Sequence, residues 1–204
     1  MTKRVKGLQT LPVVFSFIFL FLVPPAFGST ALEAVETNVN AVLNVLRDPA
    51  LKDDSAKEIK EKKLWSIADT MFDYPVLSKR TLGKNWERLD PKQQEEFTDL
   101  FSTHVGNVYM DRILAYSNEK VVFDKEKTQE DRALVNTRVM GQSKEIPVDY
   151  RMVFKDGGWK VYDVVIEGVS LVENYRSQFK EILKDKSPEY LLETLREKTG
   201  DKAR

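Results

Sequence analysis

Apolar residues recur at spacings of three and four through the first half of the chain and at a spacing of two from residue 120, so helices are followed by strands. Leu32, Val35, Val39, Val42 and Leu46 predict one amphipathic helix that ends at Asp48-Pro49. Residues 52–63 form a balanced charge run, the pattern of a solvated helix face, and lead into Leu64, Ile67, Ala68 and Met71. Tyr74-Pro75 marks a break, and a short helix through Val76 and Leu77 is expected to stop at Gly83. Asp90-Pro91 then supplies a cap residue followed by proline at the first helical position. The helix it opens carries Phe97, Leu100, Phe101, His104, Val105, Val108, Tyr109 and Ile113 on one broad stripe.

Four strands fit the second half, at about 120–125, 131–140, 145–155 and 159–167. In the third, Ile146, Val148, Tyr150, Met152 and Phe154 share a face; in the fourth, the clean apolar set is Tyr162, Val164 and Ile166. A two-residue Asp156-Gly157 loop would put these sets on opposite faces, because a slip of one residue inverts every side chain. A three-residue Asp156-Gly157-Gly158 loop unites them, pairing Met152 with Tyr162, Tyr150 with Val164 and Val148 with Ile166, and sets Arg151 opposite Asp163 on the other face. The three-residue loop is therefore the expectation. Ser170 then caps a helix bearing Leu171, Val172, Tyr175, Phe179, Ile182 and Leu183. Ser187-Pro188 opens a last helix whose thin stripe, Leu191, Leu192 and Leu195, is expected to dock weakly or fray. The order predicts an α+β domain, a four-stranded antiparallel meander with helices from the N-terminal half and the C-terminus on one concave face.

The first 28 residues differ from the rest. Lys3, Arg4 and Lys6 are their only charges, followed by the uncharged 13-residue run LPVVFSFIFLFLV and then Ala26-Phe27-Gly28. That is a basic n-region, an h-region and a small-x-small site, so cleavage after Gly28 and export are expected, with residues 29–204 as one domain. The competing reading is an uncleaved anchor, although Pro24 and Pro25 interrupt the stretch and the apolar run is short of the ~20 residues a span needs. Of the 204 residues, 42% are hydrophobic and 31% charged, enough apolar material for an ordinary core and too little bias for disorder. From Ser29 on, 29 basic and 32 acidic residues remain, without the basic footprint that a nucleic-acid partner requires.

The chemistry-bearing motifs are few. Zero cysteines remove zinc ribbons, cysteine nucleophiles and iron–sulfur clusters, and one histidine removes a histidine metal cage. His104 lies between Leu100 and Val108, where a packed or pocket-lining role outweighs a catalytic one. The segment from Gly168 to Val172 lacks the second glycine of a nucleophile elbow, and the nine scattered glycines form no phosphate-binding loop. Asp149 and Asp163 fall on the face away from the apolar set, with Asp163 best paired to Arg151. No cofactor is expected. The surplus is of large apolar and aromatic side chains, for which a filled core is the first expectation on the residues alone and a ligand cavity between sheet and helices, with tyrosines and His104 at a polar mouth, the sharper alternative.

Several segments carry a resemblance: Phe72-Asp73, Leu82-Gly83 with Trp86, Gln93-x-x-Glu96-Phe97 with Phe101, Tyr109, Val148-Asp149-Tyr150-Arg151, and the long block 158–179 that includes Gly158-Trp159-Lys160-Val161-Tyr162-Asp163-Val164 and Asn174-Tyr175-Arg176-Ser177-Gln178-Phe179. Together, over roughly residues 32–185, they are similar to the toluene-tolerance, or MlaC, family. The resemblance implies a soluble periplasmic carrier that holds a phospholipid by its acyl chains. It also implies partners, an outer-membrane lipoprotein complex and an inner-membrane ABC transporter with an MCE-domain protein. With the aromatic surplus, it makes Phe97, Phe101, Tyr109, Tyr150, Met152, Tyr162, Val164, Ile166, Leu171 and Tyr175 the candidate lipid-binding set. An enzyme with an acid or base in an apolar pocket, or an adaptor with a filled core, are the alternatives left by the residues alone.

Overall fold

The computed structural model describes residues 29–115, 119–141 and 144–200; the expected leader lies outside them. Helix α1 (Ala31–Arg47) starts two residues after the expected cleavage point, with Thr30 and Glu33 closing a reciprocal capping box. Two short 3₁₀ turns, Pro49–Leu51 and Asp54–Ala56, lead to α2 (Lys57–Met71). The next helix, α3 (Tyr74–Leu82), is capped by Asp73, whose side chain accepts from the Val76 amide at 3.0 Å. It stops at Gly83, whose φ of +55° is open to a residue without Cβ. Asp90 and Gln93 form a second capping box at the head of α4 (Pro91–Leu114), as the Asp-Pro signal implies.

The sheet is an antiparallel meander in the order β1-β2-β3-β4-β5: Lys120–Gln129, Arg132–Met140, Glu145–Lys155, Gly158–Ile166 and the two-residue Val169–Ser170. The fifth strand, too short to leave an alternating pattern, was not expected. It pairs only Val165 and Ile166; farther along the same edge, Phe72 bridges Val161 and the Asp73 amide donates to the Val161 carbonyl at 2.9 Å. The α2–α3 joint thus closes an edge that would otherwise expose unpaired backbone. Ser170 caps α5 (Leu171–Asp185) by accepting from the Glu173 amide, and Ser187 caps α6 (Pro188–Thr199).

The β3–β4 turn corrects one expectation. Lys155 pairs with Gly158, leaving a two-residue loop in which Asp156 (φ 52°) and Gly157 (φ 80°) are both left-handed, the twist-matched geometry for a tight hairpin. The parity mismatch is absorbed inside β4 instead. Arg151 pairs with Asp163 and Tyr150 with Val164, as expected, but Met152 pairs with Val161, so Tyr162 is the extra residue of a bulge.

The apolar interior has two parts. One is built by the helices α3 to α6: Leu77, Leu82, Phe97, Phe101, Leu171, Val172, Phe179 and Leu183, with Leu191, Leu192 and Leu195 of α6 at most 2% exposed. The last helix is therefore a full partner of α4, not the weakly docked one its stripe suggested; its three leucines fill the groove beside Phe97 and Phe101. The other part joins Ala31, Val35 and Met71 to the inner sheet face at Ala133, Val135, Met152 and Val161.

Candidate functional site

Among the residues packed on these two interiors, only Phe72 is common to both. It sits at the α2–α3 joint, with its ring 5.8 Å from that of Tyr74. The margins of the two interiors, where half-buried side chains edge each, are here called the seam. Helix α4 packs chiefly on α6 and α3, and Leu100, Val105 and Tyr109 of α4 and Tyr175 of α5 are half-buried on the helical side. On the sheet side, Val39, Phe123, Tyr150 and Val164 are half-buried in the same way.

Tyr150 shows what the seam is. Burial pushes its hydroxyl pKa up to about 12, moderated by a hydrogen bond with Thr137, whose own hydroxyl donates to the Val148 carbonyl at 2.8 Å. Tyr150 is half-buried, with part of its surface accessible. On the opposite wall, Tyr175 stands at the end of a ring stack, 4.9 Å from Phe101, 5.6 Å from Phe179 and 5.8 Å from His104. Burial and the neighbouring Tyr109 raise the Tyr175 hydroxyl pKa, while burial and then Lys198 lower that of His104. The wall is apolar with uncharged polar tips.

The ten candidate residues separate by depth. Phe97 and Phe101 are fully enclosed and Leu171 nearly so within the helical interior, and Met152 is 1% exposed within the sheet interior. Tyr109 and Tyr175 are half-buried against the helical interior. Tyr150 and Val164 are half-buried against the sheet interior, and Ile166, paired with Val148 in the same register, is half-buried too. Tyr162 does not belong to that face: the bulge turns it out between two guanidinium groups, Arg80 at 4.2 Å and Arg132 at 5.5 Å from the ring centroid. Gly106 escaped the sequence reading. A Cβ there would lie 1.7 Å from the Trp65 ring, so α2 and α4 meet through an indole laid on bare backbone. Its signal was one glycine inside a helical stripe.

Asp163, expected as the partner of Arg151, is bound to it at 3.0 Å and also accepts from the Ser170 hydroxyl at 2.7 Å and the Val172 amide at 3.0 Å. It pins the start of α5 to β4 and is a structural acid. Among the described residues no group of three or more His, Asp or Glu could hold a metal, and no helix is long and apolar enough to cross a membrane. A separate open cleft of about 340 Å³, lined by Lys52, Asp53, Lys57, Lys60, Asp111, Leu114 and Ala115, is polar and remote in character from the seam.

The model of the MlaC protein family matches residues 36–197. The intermembrane phospholipid transport system binding protein MlaC of Haemophilus influenzae is 27% identical over 172 residues, covering 78% of this chain and 80% of the relative. The toluene tolerance protein ttg2D of Pseudomonas putida is 27% identical over 120 residues, 57% of this chain and 56% of that protein. Among solved structures, a phospholipid-binding protein from Ralstonia solanacearum in complex with a phospholipid superposes with a TM-score of 0.74 at 25% identity, covering 86% of this chain and all of the other.

Proposed function

This chain belongs to the MlaC family, and on that premise we propose that it is a periplasmic phospholipid carrier whose acyl-chain site is the seam between its two apolar interiors. The observation that carries the reading is the likeness to a phospholipid-bound structure from Ralstonia solanacearum over 86% of this chain at a TM-score of 0.74, together with half-buried Tyr109, Tyr150 and Tyr175 at the margins of the two interiors. Half-buried apolar residues at the margins of the two interiors supply walls for a flexible apolar guest, and uncharged polar tips are compatible with a head group held toward water. Burying the head-group charge without partners would be costly, so the chains are held and the head is not.

The energetics favour a carrier that docks. Each acyl chain of about 16 carbons is worth roughly 13 kcal/mol gross against water at ~0.8 kcal/mol per methylene. Release into water is then negligible, and lipid must pass from one apolar environment to another while the carrier is engaged. An outer-membrane lipoprotein complex and an inner-membrane ABC transporter with an MCE-domain protein are the docking partners that the family resemblance implies. The leader 1–28 is removed after Gly28, and the carrier is not an enzyme, both buried carboxylates among the described residues being engaged: Asp163 by Arg151, Ser170 and the Val172 amide, Asp73 by Lys155 and the Val76 amide.

Mass spectrometry of the gently purified exported protein tests the reading: one phospholipid per chain is expected, with Ser29 as the N-terminal residue. An empty protein overturns the carrier, and full-length chain in the membrane fraction overturns the processed leader.

A further inference from the structure

The bulge in β4 has a second product besides the apolar face. It turns Tyr162 outward, where the Arg80 guanidinium lies 4.2 Å from the ring centroid and that of Arg132 lies 5.5 Å from it. Bulges are used to re-aim a side chain, and here the side chain becomes a platform for two cations. A guanidinium that stacks on a ring spends its face and not its edge, so its N–H fork stays free for a planar anion. Among the described residues Arg80 has no carboxylate within 4.0 Å, and Arg132 has only exposed Asp131, its sequence neighbour, at 3.3 Å. The other arginines nearby are occupied. Arg151 is held by Asp163 and Glu173, and Arg176 donates to the Arg80 carbonyl at 2.7 Å, which fixes the C-terminal turn of α3 from which Arg80 projects.

We propose that Arg80 and Arg132, gathered around Tyr162, form a receptor for a carboxylate presented by an acidic segment of a docking protein. This rests on the carrier reading, which requires docking. A single protein carboxylate fits better than an anionic membrane because only two guanidinium groups converge on the ring and Asp131 stands beside one of them. The chain from Ser29 on is also mildly acidic, with 29 basic and 32 acidic residues, so its net charge does not draw it to an anionic bilayer. One aspartate or glutamate, reaching in to take the free fork of Arg80 with Arg132 beside it, meets complementary charge at one point.

The test is nuclear magnetic resonance of the whole exported protein, following the arginine Nε–H signals during titration with an end-blocked acidic tetrapeptide. The Arg80 and Arg132 signals should move together, and Arg80→Gln or Arg132→Gln should each weaken binding about tenfold, the loss of one charge-assisted contact. Arg80→Lys should not restore it, because an ammonium lacks the fork, whereas Tyr162→Phe should preserve it and Tyr162→Ala should not. Co-purifying phospholipid and melting temperature should be unchanged in both glutamine variants. Shifts confined to other arginines, or unaltered affinity in both glutamine variants, overturn the proposal. So does binding to phosphatidylglycerol vesicles through these arginines with indifference to the peptide. An empty chain that still binds the peptide refutes the carrier alone; a lipid-loaded chain whose Arg80 ignores the peptide refutes the receptor alone.

Discussion

A half-buried apolar residue at the seam and a sealed one in either interior respond oppositely to a charge. Val164 and Ile166 keep accessible surface, so Val164→Asp or Ile166→Glu can leave its carboxylate in the space that acyl chains would fill. The expected result is a folded protein by circular dichroism that carries little extractable phospholipid, the charge costing several kcal/mol of lipid affinity where it stays buried. Unfolding of both variants would return these residues to plain core. Gly106 makes a different forecast. Glycine to alanine within a helix ordinarily stabilises by ~0.5–1 kcal/mol, but here the new Cβ would meet the Trp65 ring at 1.7 Å. Gly106→Ala should therefore lower the melting temperature, with a cost of about 1–3 kcal/mol, and should become neutral or favourable in a Trp65→Ala background. His104 predicts a pH effect. Its pKa is held below 6.5 by burial and by Lys198, so the folded state prefers the neutral ring. Its contribution is full above pH 6.5 and declines as pH falls through the lowered folded value. His104→Gln should flatten that part of the stability profile relative to the parent.

At the scale of elements, α6 carries the clearest test. Leu191, Leu192 and Leu195 are at most 2% exposed, and burying three leucines is worth about 5–9 kcal/mol at the usual area coefficient. A domain of this size has only ~5–15 kcal/mol of net stability. Truncation after Ser187 should abolish cooperative thermal unfolding; a truncated chain melting within a few degrees of the full one would return α6 to an appendage. A stripe of three leucines was legible in the sequence, but its depth was not, because depth depends on Phe97 and Phe101 presenting a groove from α4. The helix starts were legible for a local reason: Asp90-Pro91, Ser170 and Ser187-Pro188 satisfy their own amides within three residues. The β3–β4 hairpin illustrates the limit. Alternation correctly required one extra residue between the apolar sets of β3 and β4, and correctly paired Tyr150 with Val164 and Arg151 with Asp163. It could not say where the extra residue went. Asp156-Gly157 favours the tight left-handed turn, so the extra residue moved to Tyr162, and Tyr162 left the wall to which parity alone had assigned it.

For the molecule as a whole, the surplus of aromatics was legible, while the division of the apolar interior into two parts was not, since no periodicity records that α4 packs chiefly on α6 and α3. That division bears on transport. A guest lying between two layers joined at Phe72 touches apolar surface on both sides, so leaving through water forfeits roughly 13 kcal/mol gross per chain of about 16 carbons. Two such chains forfeit roughly 25 kcal/mol gross, some of it offset by ordering the chains, and a net barrier of about 23 kcal/mol is what holds a lipid for hours. Mixing phospholipid-loaded protein with delipidated, isotopically labelled protein therefore has a definite expected outcome. Native mass spectrometry should find the lipid still on the unlabelled chain after hours at neutral pH. Transfer should begin only when a membrane or a docking complex offers a second apolar environment in contact with the seam. Equilibration within minutes in buffer alone would mean that the lipid leaves through water, and handover during docking would then not be required.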